Sequence, residues 1–274
     1  FGARMLSELN GMFAFVIVDT LTGGVFAARD RLGIKPLYHR TVDGFHTFAS
    51  ELAPILHVHP GLPIDEFAVR QYLKLRTFFN SRTLYRGVSM FPAGCYLEDG
   101  VVRRYWSLPA DEQEPPSDEE LRDLVTSAVR YRRISDVSVG SYLSGGLDST
   151  LVAALADRPH TWTVGTAANN EFEWASLAAT TLGTTHHEVV TSNEEFLETA
   201  SALVTTRREP LSVPNEVLLY LMTRAVKEHN TVILSGEGAD ELFFGYDRIF
   251  NWAARTSGTL DLAGFDRHYS YGKH

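Results

Sequence analysis

Ser144-Gly145-Gly146-Leu147-Asp148-Ser149 decides the fold of this chain, because it stands where a strand ends and a helix begins. Upstream, Val137, Val139, Ser141 and Leu143 alternate with Ser138, Gly140 and Tyr142; downstream, Leu151, Val152, Ala154 and Leu155 recur at helical spacing. Such a turn is an anion cradle. Two glycines let the backbone approach a phosphate with no Cβ in the way, and the new helix offers unpaired N–H groups at the positive end of its dipole. Ser144 and Ser149 add hydroxyl donors. Asp148 repels bare phosphate and so points to a bridging Mg²⁺. The competing reading is a Gly-Gly turn capped by polar residues, which is common. The chain holds no G-x-x-x-x-G-K-[ST] and no G-x-G-x-x-G, which disfavours the Walker-type and Rossmann dinucleotide readings.

From residue 117 onward strands and helices alternate. Ser117 is placed to cap a helix whose first turn holds Asp118, Glu119 and Glu120. Strands are expected over 161–164, 187–190 and 232–234, and helices over 171–182, 194–205 and 215–228. That order implies a parallel sheet with helices on both faces, whose ligands bind beyond the carboxyl ends of the strands. The first hundred residues instead read as hairpins: 14–18 with 25–28 around Thr22-Gly23-Gly24, 37–40 with 45–49 around Asp43-Gly44, and 94–97 with 101–105 around Asp99-Gly100. Pro54, Pro60 and Pro63 break the chain before a helix over 65–75. The acidic segment 110–116, with Pro115-Pro116, is the expected linker between domains at 1–109 and 117–274.

A second loop, Leu234-Ser235-Gly236-Glu237-Gly238-Ala239-Asp240-Glu241, also follows an apolar strand. Its three acids repel one another unless a cation or a helix N-terminus sits among them. Alone it reads as a solvated acidic turn. Beside the first loop, at one edge of one sheet, it lets Asp148 and Asp240 hold one Mg²⁺ between them.

The 274 residues carry a net charge of -9, which argues against nucleic acid as the main partner. The one cysteine, Cys95, excludes an internal disulfide framework and fits a reducing cytoplasm. The longest apolar run, residues 12–18, is too short to span a bilayer, so no membrane association is expected. A strand within a few residues of Phe1, with no initiator Met, suggests a fragment of something longer.

These loops resemble those of the glutamine-hydrolysing asparagine synthetases and their amidotransferase relatives. Residues 144–149 are similar to the family's pyrophosphatase-type loop, 235–241 to its second signature, and Leu182-Gly183-Thr184-Thr185-His186-His187-Glu188 to a third segment. The front of the chain resembles the later part of an N-terminal-nucleophile glutaminase, through Asn10-Gly11-Met12-Phe13-Ala14-Phe15 and Ala28-Arg29-Asp30-Arg31-Leu32-Gly33-Ile34-Lys35-Pro36-Leu37-Tyr38. Phosphoribosyl amidotransferases share the second of these runs, and GMP synthetases and transfer-RNA thiolating enzymes share an S-G-G-x-D-S loop. The two in this order on one chain point to asparagine synthetase or a close relative.

The resemblance implies an α/β and α+β chain: a partial glutaminase sandwich, then a doubly wound parallel-sheet ATP-pyrophosphatase (PP-loop) domain. It implies ATP and Mg²⁺, aspartate and glutamine or ammonia as substrates, and a homodimer as an assembly open to the chain. ATP would adenylate a carboxylate, and ammonia would displace AMP. Leu143, Ser144, Gly145, Gly146, Asp148, Ser149, Val164, Ser235 and Gly236 are the implied ATP-binding residues, Asp148 and Asp240 the metal ligands, and Glu237 the catalytic acid. Another carboxylate as acceptor, as in β-lactam synthetases, stays open, as does a remnant that binds nucleotide without turnover. No cysteine opens the chain to act as glutaminase nucleophile, and Cys95 reads as structural. His186 and His187, adjacent in a strand, point to opposite faces and read as structural too. Arg29, Asp30 and Arg31 read equally as shapers of the glutaminase half or the domain interface and as a surface ion-pair turn.

Overall fold

The structure, a computed structural model, describes residues 2–111, 114–157, 159–256 and 261–269. Two residues of the expected linker, 112 and 113, lie outside them. The chain divides into two compact units, Phe1–Gln113 with Val204–Pro210, and Glu114–Leu203 with Leu211–His274.

The first unit opens with a 3-10 turn, Gly2–Arg4, and a short helix α1 (Met5–Glu8). Its strands are β1 (Ala14–Val18), β2 (Val25–Arg29), β3 (Tyr38–Val42), β4 (Phe45–Ala49), β5 (Ser89–Met90), β6 (Cys95–Glu98) and β7 (Val101–Arg104). Two antiparallel sheets result, in the orders β1-β2-β6-β7 and β4-β3-β5. Each hairpin expected from a glycine turn is present, with Asp43 and Gly44 both at positive φ between β3 and β4. Ala27, Cys95 and Leu97 of the first sheet meet Phe91 in one buried cluster, with Phe48 of the second sheet packed against it. The sandwich core is therefore shared by both sheets.

Two helices lie between β4 and β5: α2 (Leu52–Val58) and α3 (Glu66–Leu75). The sequence reading expected a break at Pro54, yet α2 runs through it. Pro54 is the third residue of the helix, where the backbone N–H has no intrahelical partner to lose. Arg29 and Asp30 are not a surface ion-pair turn, because both are buried. The Asp30 carboxylate accepts from the backbone N–H of Phe13, Leu32, Ile34 and Lys35 at 2.9–3.3 Å. Arg29 donates to the carbonyls of Lys35, Phe91 and Gly33 at 2.5–2.7 Å. Together they wire the β2–β3 loop to the sandwich.

The second unit runs α4 (Asp118–Arg132), β8 (Val139–Tyr142), α5 (Leu147–Ala156), β9 (His160–Thr166), α6 (Phe172–Leu182), β10 (Thr185–Thr191), α7 (Asn193–Arg207, whose last turn from Val204 belongs to the first unit), α8 (Asn215–Val226), β11 (Val232–Leu234), α9 (Ala239–Phe243), α10 (Asp247–Arg255) and α11 (Leu262–His268). Ser117 caps α4 as expected, in a reciprocal capping box with Glu120. The four strands form one parallel sheet in the order β10-β9-β8-β11. Alternation divides its faces. Val139 and Leu234 pack with Val129 of α4 and Ala156 of α5, and Leu143 with Ala153 and Ala179 of α5 and α6. Tyr142, Trp162, Val164, Val189 and Ile233 pack with Met222 and Val226 of α8. Helices thus cover both faces, and the order reverses at β8, which has β9 on one side and β11 on the other.

Candidate functional site

That reversal places a crevice at the carboxyl ends of β8 and β11, where the polar loops of the sequence lie. Leu143 leaves β8 fully buried, and the chain then turns through Gly145 at φ +84°. A side chain there would strike the backbone of Trp174 in the first turn of α6, so only glycine fits. Gly146 is the N-cap of α5 and carries no capping side chain, leaving the helix end open to a ligand. The loop's hydroxyls hold one another: Ser144 Oγ lies 2.9 Å from Ser149 Oγ, and Ser149 Oγ accepts from the Ser144 N–H at 3.2 Å. The Gly146 N–H donates to Ser144 Oγ at 3.3 Å. The cradle is pre-shaped.

The second loop comes off β11, which pairs with β8 in parallel. A Cβ on Gly236 would lie 3.0 Å from both Asp148 Cβ and Ser149 N, so this glycine lets the two loops touch. Gly238 turns at φ +96°, and α9 begins with Asp240 and Glu241 in its first turn. The chain then folds back: the Gly245 N–H donates to the Asp240 carbonyl at 2.9 Å, and the Tyr246 phenol donates to Glu241 Oε1 at 2.5 Å. That hydrogen bond, with burial and the neighbouring acids, pushes the Tyr246 phenol up to about 12.

One cavity of about 320 Å³ opens between these loops, a size suited to a small ligand. Of the ATP-binding residues expected, it is lined by Leu143, Ser144, Gly146, Asp148, Ser149, Val164, Ser235 and Gly236; Gly145 turns the loop from behind. Glu237, Asp148 and Asp240 line it as well. Among the described residues no three His, Cys, Asp or Glu side chains converge as a metal site. Two carboxylates suffice for Mg²⁺, which takes its remaining ligands from phosphate and water, so the Asp148–Asp240 pair fits that ion in chemical type.

Several lining residues were missed in the sequence. Asn215, Leu219 and Met222 come from one stripe of α8, a signal present in their spacing of four and three. Glu171 follows β9 as the two loops follow β8 and β11, and Tyr246 depends on the fold-back after α9, which no local pattern announces. The histidines point to opposite faces as expected: His186 Nδ1 meets Thr161 Oγ1 at 3.0 Å, while His187 stacks on Trp162. Cys95 is buried in β6, and burial pushes its thiol up.

The asparagine synthase family profile matches residues 120–272, more than half of the chain, and a glutamine amidotransferase domain profile matches residues 1–106. Asparagine synthetase [glutamine-hydrolyzing] 1 of Bacillus subtilis is 34% identical over 255 residues, covering 88% of this chain and 40% of that protein. Asparagine synthetase B [glutamine-hydrolyzing] of Escherichia coli is 28% identical, covering 89% of this chain and 45% of that one. The chain thus spans less than half the length of these relatives. Glutamine-dependent NAD⁺ synthetase from Acinetobacter baumannii, solved with ADP, is 15% identical with a TM-score of 0.35, covering 89% of this chain and 63% of that one, a likeness too loose to bear on the site.

Proposed function

Because the chain belongs to the asparagine synthase family, we propose that its crevice binds ATP and uses it to turn aspartate into asparagine. The observation that carries this reading is the contact of the two loops through Gly236, which sets an anion cradle against a row of acids. A carboxylate resists amidation because oxide is a poor leaving group. Its oxygen attacks the α-phosphorus of ATP, the bond to the β-phosphate breaks, and pyrophosphate leaves. Ammonia then attacks the acyl carbon, AMP departs with the C–O bond, and the amide nitrogen sheds its proton.

In this scheme the N–H groups of Gly145 and Gly146 and the hydroxyls of Ser144 and Ser149 hold the departing pyrophosphate. Leu143 and Val164, with Ser235 and Gly236, enclose the nucleoside. Asp148 and Asp240 hold Mg²⁺, which when bound neutralises developing phosphate charge. Glu237 faces the reacting end as the acid serving formation or use of the adenylate. Glutamine is the proposed source of ammonia, handled by the front half, and Cys95 is not its nucleophile because it is buried. The boundary between the halves belongs at 110–116, and a homodimer working in the cytoplasm completes the proposal.

ATP–pyrophosphate exchange across aspartate and other carboxylates tests it. Exchange with aspartate alone supports asparagine synthesis, exchange with another acid moves the acceptor, and tight ATP binding without exchange for any acid leaves a nucleotide-binding remnant. Asp148→Asn and Asp240→Asn should each weaken Mg²⁺-dependent ATP binding by roughly tenfold, the loss expected for one charged ligand contact. Unchanged affinity in both removes the bridging metal.

A further inference from the structure

Trp162, 3% exposed, forms part of the crevice wall and is held by a cluster that the proposed chemistry does not use. Its Nε1 donates to Asn230 Oδ1 at 3.1 Å, and Asn230 Nδ2 in turn donates to Ser138 Oγ at 2.6 Å. The His187 ring stacks on the indole with centroids 4.0 Å apart and planes 12° apart. His160 lies 5.2 Å and His229 4.9 Å from His187, ring to ring, and these two are 5.5 Å from each other. Three imidazoles, from β9, β10 and the loop after α8, therefore meet beside one tryptophan.

His160 Nδ1 and His187 Nε2 share a hydrogen bond of 2.9 Å. An N–H···N bond needs a bare nitrogen as acceptor, so it survives only while at least one of the two rings is neutral. One proton is tolerated, because an imidazolium still donates to its neighbour and gains from stacking on the indole face. A second proton removes the acceptor and sets two cations at hydrogen-bond distance with His229 alongside. Burial, then His229, His160 and His186, all push the His187 imidazole below its ordinary value. Glu188, two residues beyond His186 along β10, acts on that ring rather than on His187.

We infer that His187 is a positioning residue for the crevice: while the His160–His187 pair carries at most one proton it holds Trp162 as the wall, and double protonation releases the indole and weakens nucleotide binding. This rests on the crevice being the nucleotide site. The sign follows from the depressed imidazole. As pH falls below about 6.5 His187 of the unfolded chain takes a proton that the folded ring resists, so ordered packing is lost on the acid side and is fully present above it.

Two variants separate charge from shape. His187→Phe keeps an aromatic ring on Trp162 but cannot take a proton, whereas His187→Ala removes the stack. Calorimetric titration with MgATP between about pH 5 and 8 should show the wild-type chain losing roughly tenfold more affinity toward acid than His187→Phe does. Protonation of ATP itself is common to both and cancels in that comparison. His187→Ala should bind weakly throughout. Parallel pH profiles for the wild type and His187→Phe would overturn the inference, as would wild-type affinity in His187→Ala at neutral pH. Failure of all three to bind ATP at any pH would overturn the nucleotide reading and the binding half with it. Tryptophan fluorescence then decides the Trp162 half: an acid transition in the wild type and none in His187→Phe upholds it, and identical curves remove it.

Discussion

Gly236 is the point at which the loop after β11 meets the loop after β8. A methyl group at this position would sit 3.0 Å from Asp148 Cβ and from the Ser149 backbone nitrogen, neither of which is a flexible tip that can swing away. Gly236→Ala must therefore push the loop after β11 away from the first turn of α5 by a few tenths of an ångström, with no strand or helix lost. The expected outcome is a fall in ATP affinity of roughly tenfold or more with an unchanged far-ultraviolet spectrum and thermal midpoint, measured by titration and circular dichroism. The sequence alone identified Gly236 and Asp148 as members of one site, because both loops follow apolar strands. What it could not show is that one touches the other, since a contact between residues 148 and 236 is a property of strand order. Buried Arg29 and Asp30 were opaque for a related reason: a charged run is as common on surfaces as in loops, and only four converging N–H groups distinguish Asp30.

At the level of elements, whatever carried its own punctuation was legible. The β3–β4 hairpin follows from Asp43-Gly44, and α4 from Ser117 and the acids after it. The capping box makes α4 a measurable case: Ser117→Ala should cost about 1 kcal/mol in denaturant unfolding of the second unit, while Ser117→Asp should retain most of it. The elements that escaped notice are the opening 3-10 turn and α1, then α2, β5 and the short helices α9, α10 and α11. Proline hid α2, although at the third helical position it costs no hydrogen bond. A two-residue strand such as β5 shows no period at all, and the five residues of α9 complete little more than one turn. One of those omissions matters for the crevice, because α9 and the turn after it bring Tyr246 back onto Glu241.

Across the molecule, the alternation of strands and helices was sufficient to indicate a parallel sheet, but not the order β10-β9-β8-β11 that makes a crevice of it. Of the neighbours in that order, β11 is held least. It meets β8 over only Val232, Ile233 and Leu234, whereas β10 meets β9 over seven residues. Among the described residues it also has no partner on its other side. Half of the proposed ATP site thus hangs from the strand with the fewest paired residues in the sheet. The β11 amides should exchange with deuterium faster than those of β9, and MgATP, by spanning both loops, should slow β11 at least tenfold while leaving β9 little changed. Equal protection of the two strands without nucleotide would remove the premise. Under the proposed function, substrate is then also mortar: the nucleotide finishes a sheet edge that the polypeptide leaves loosely sewn, and each release of product leaves that edge free to breathe.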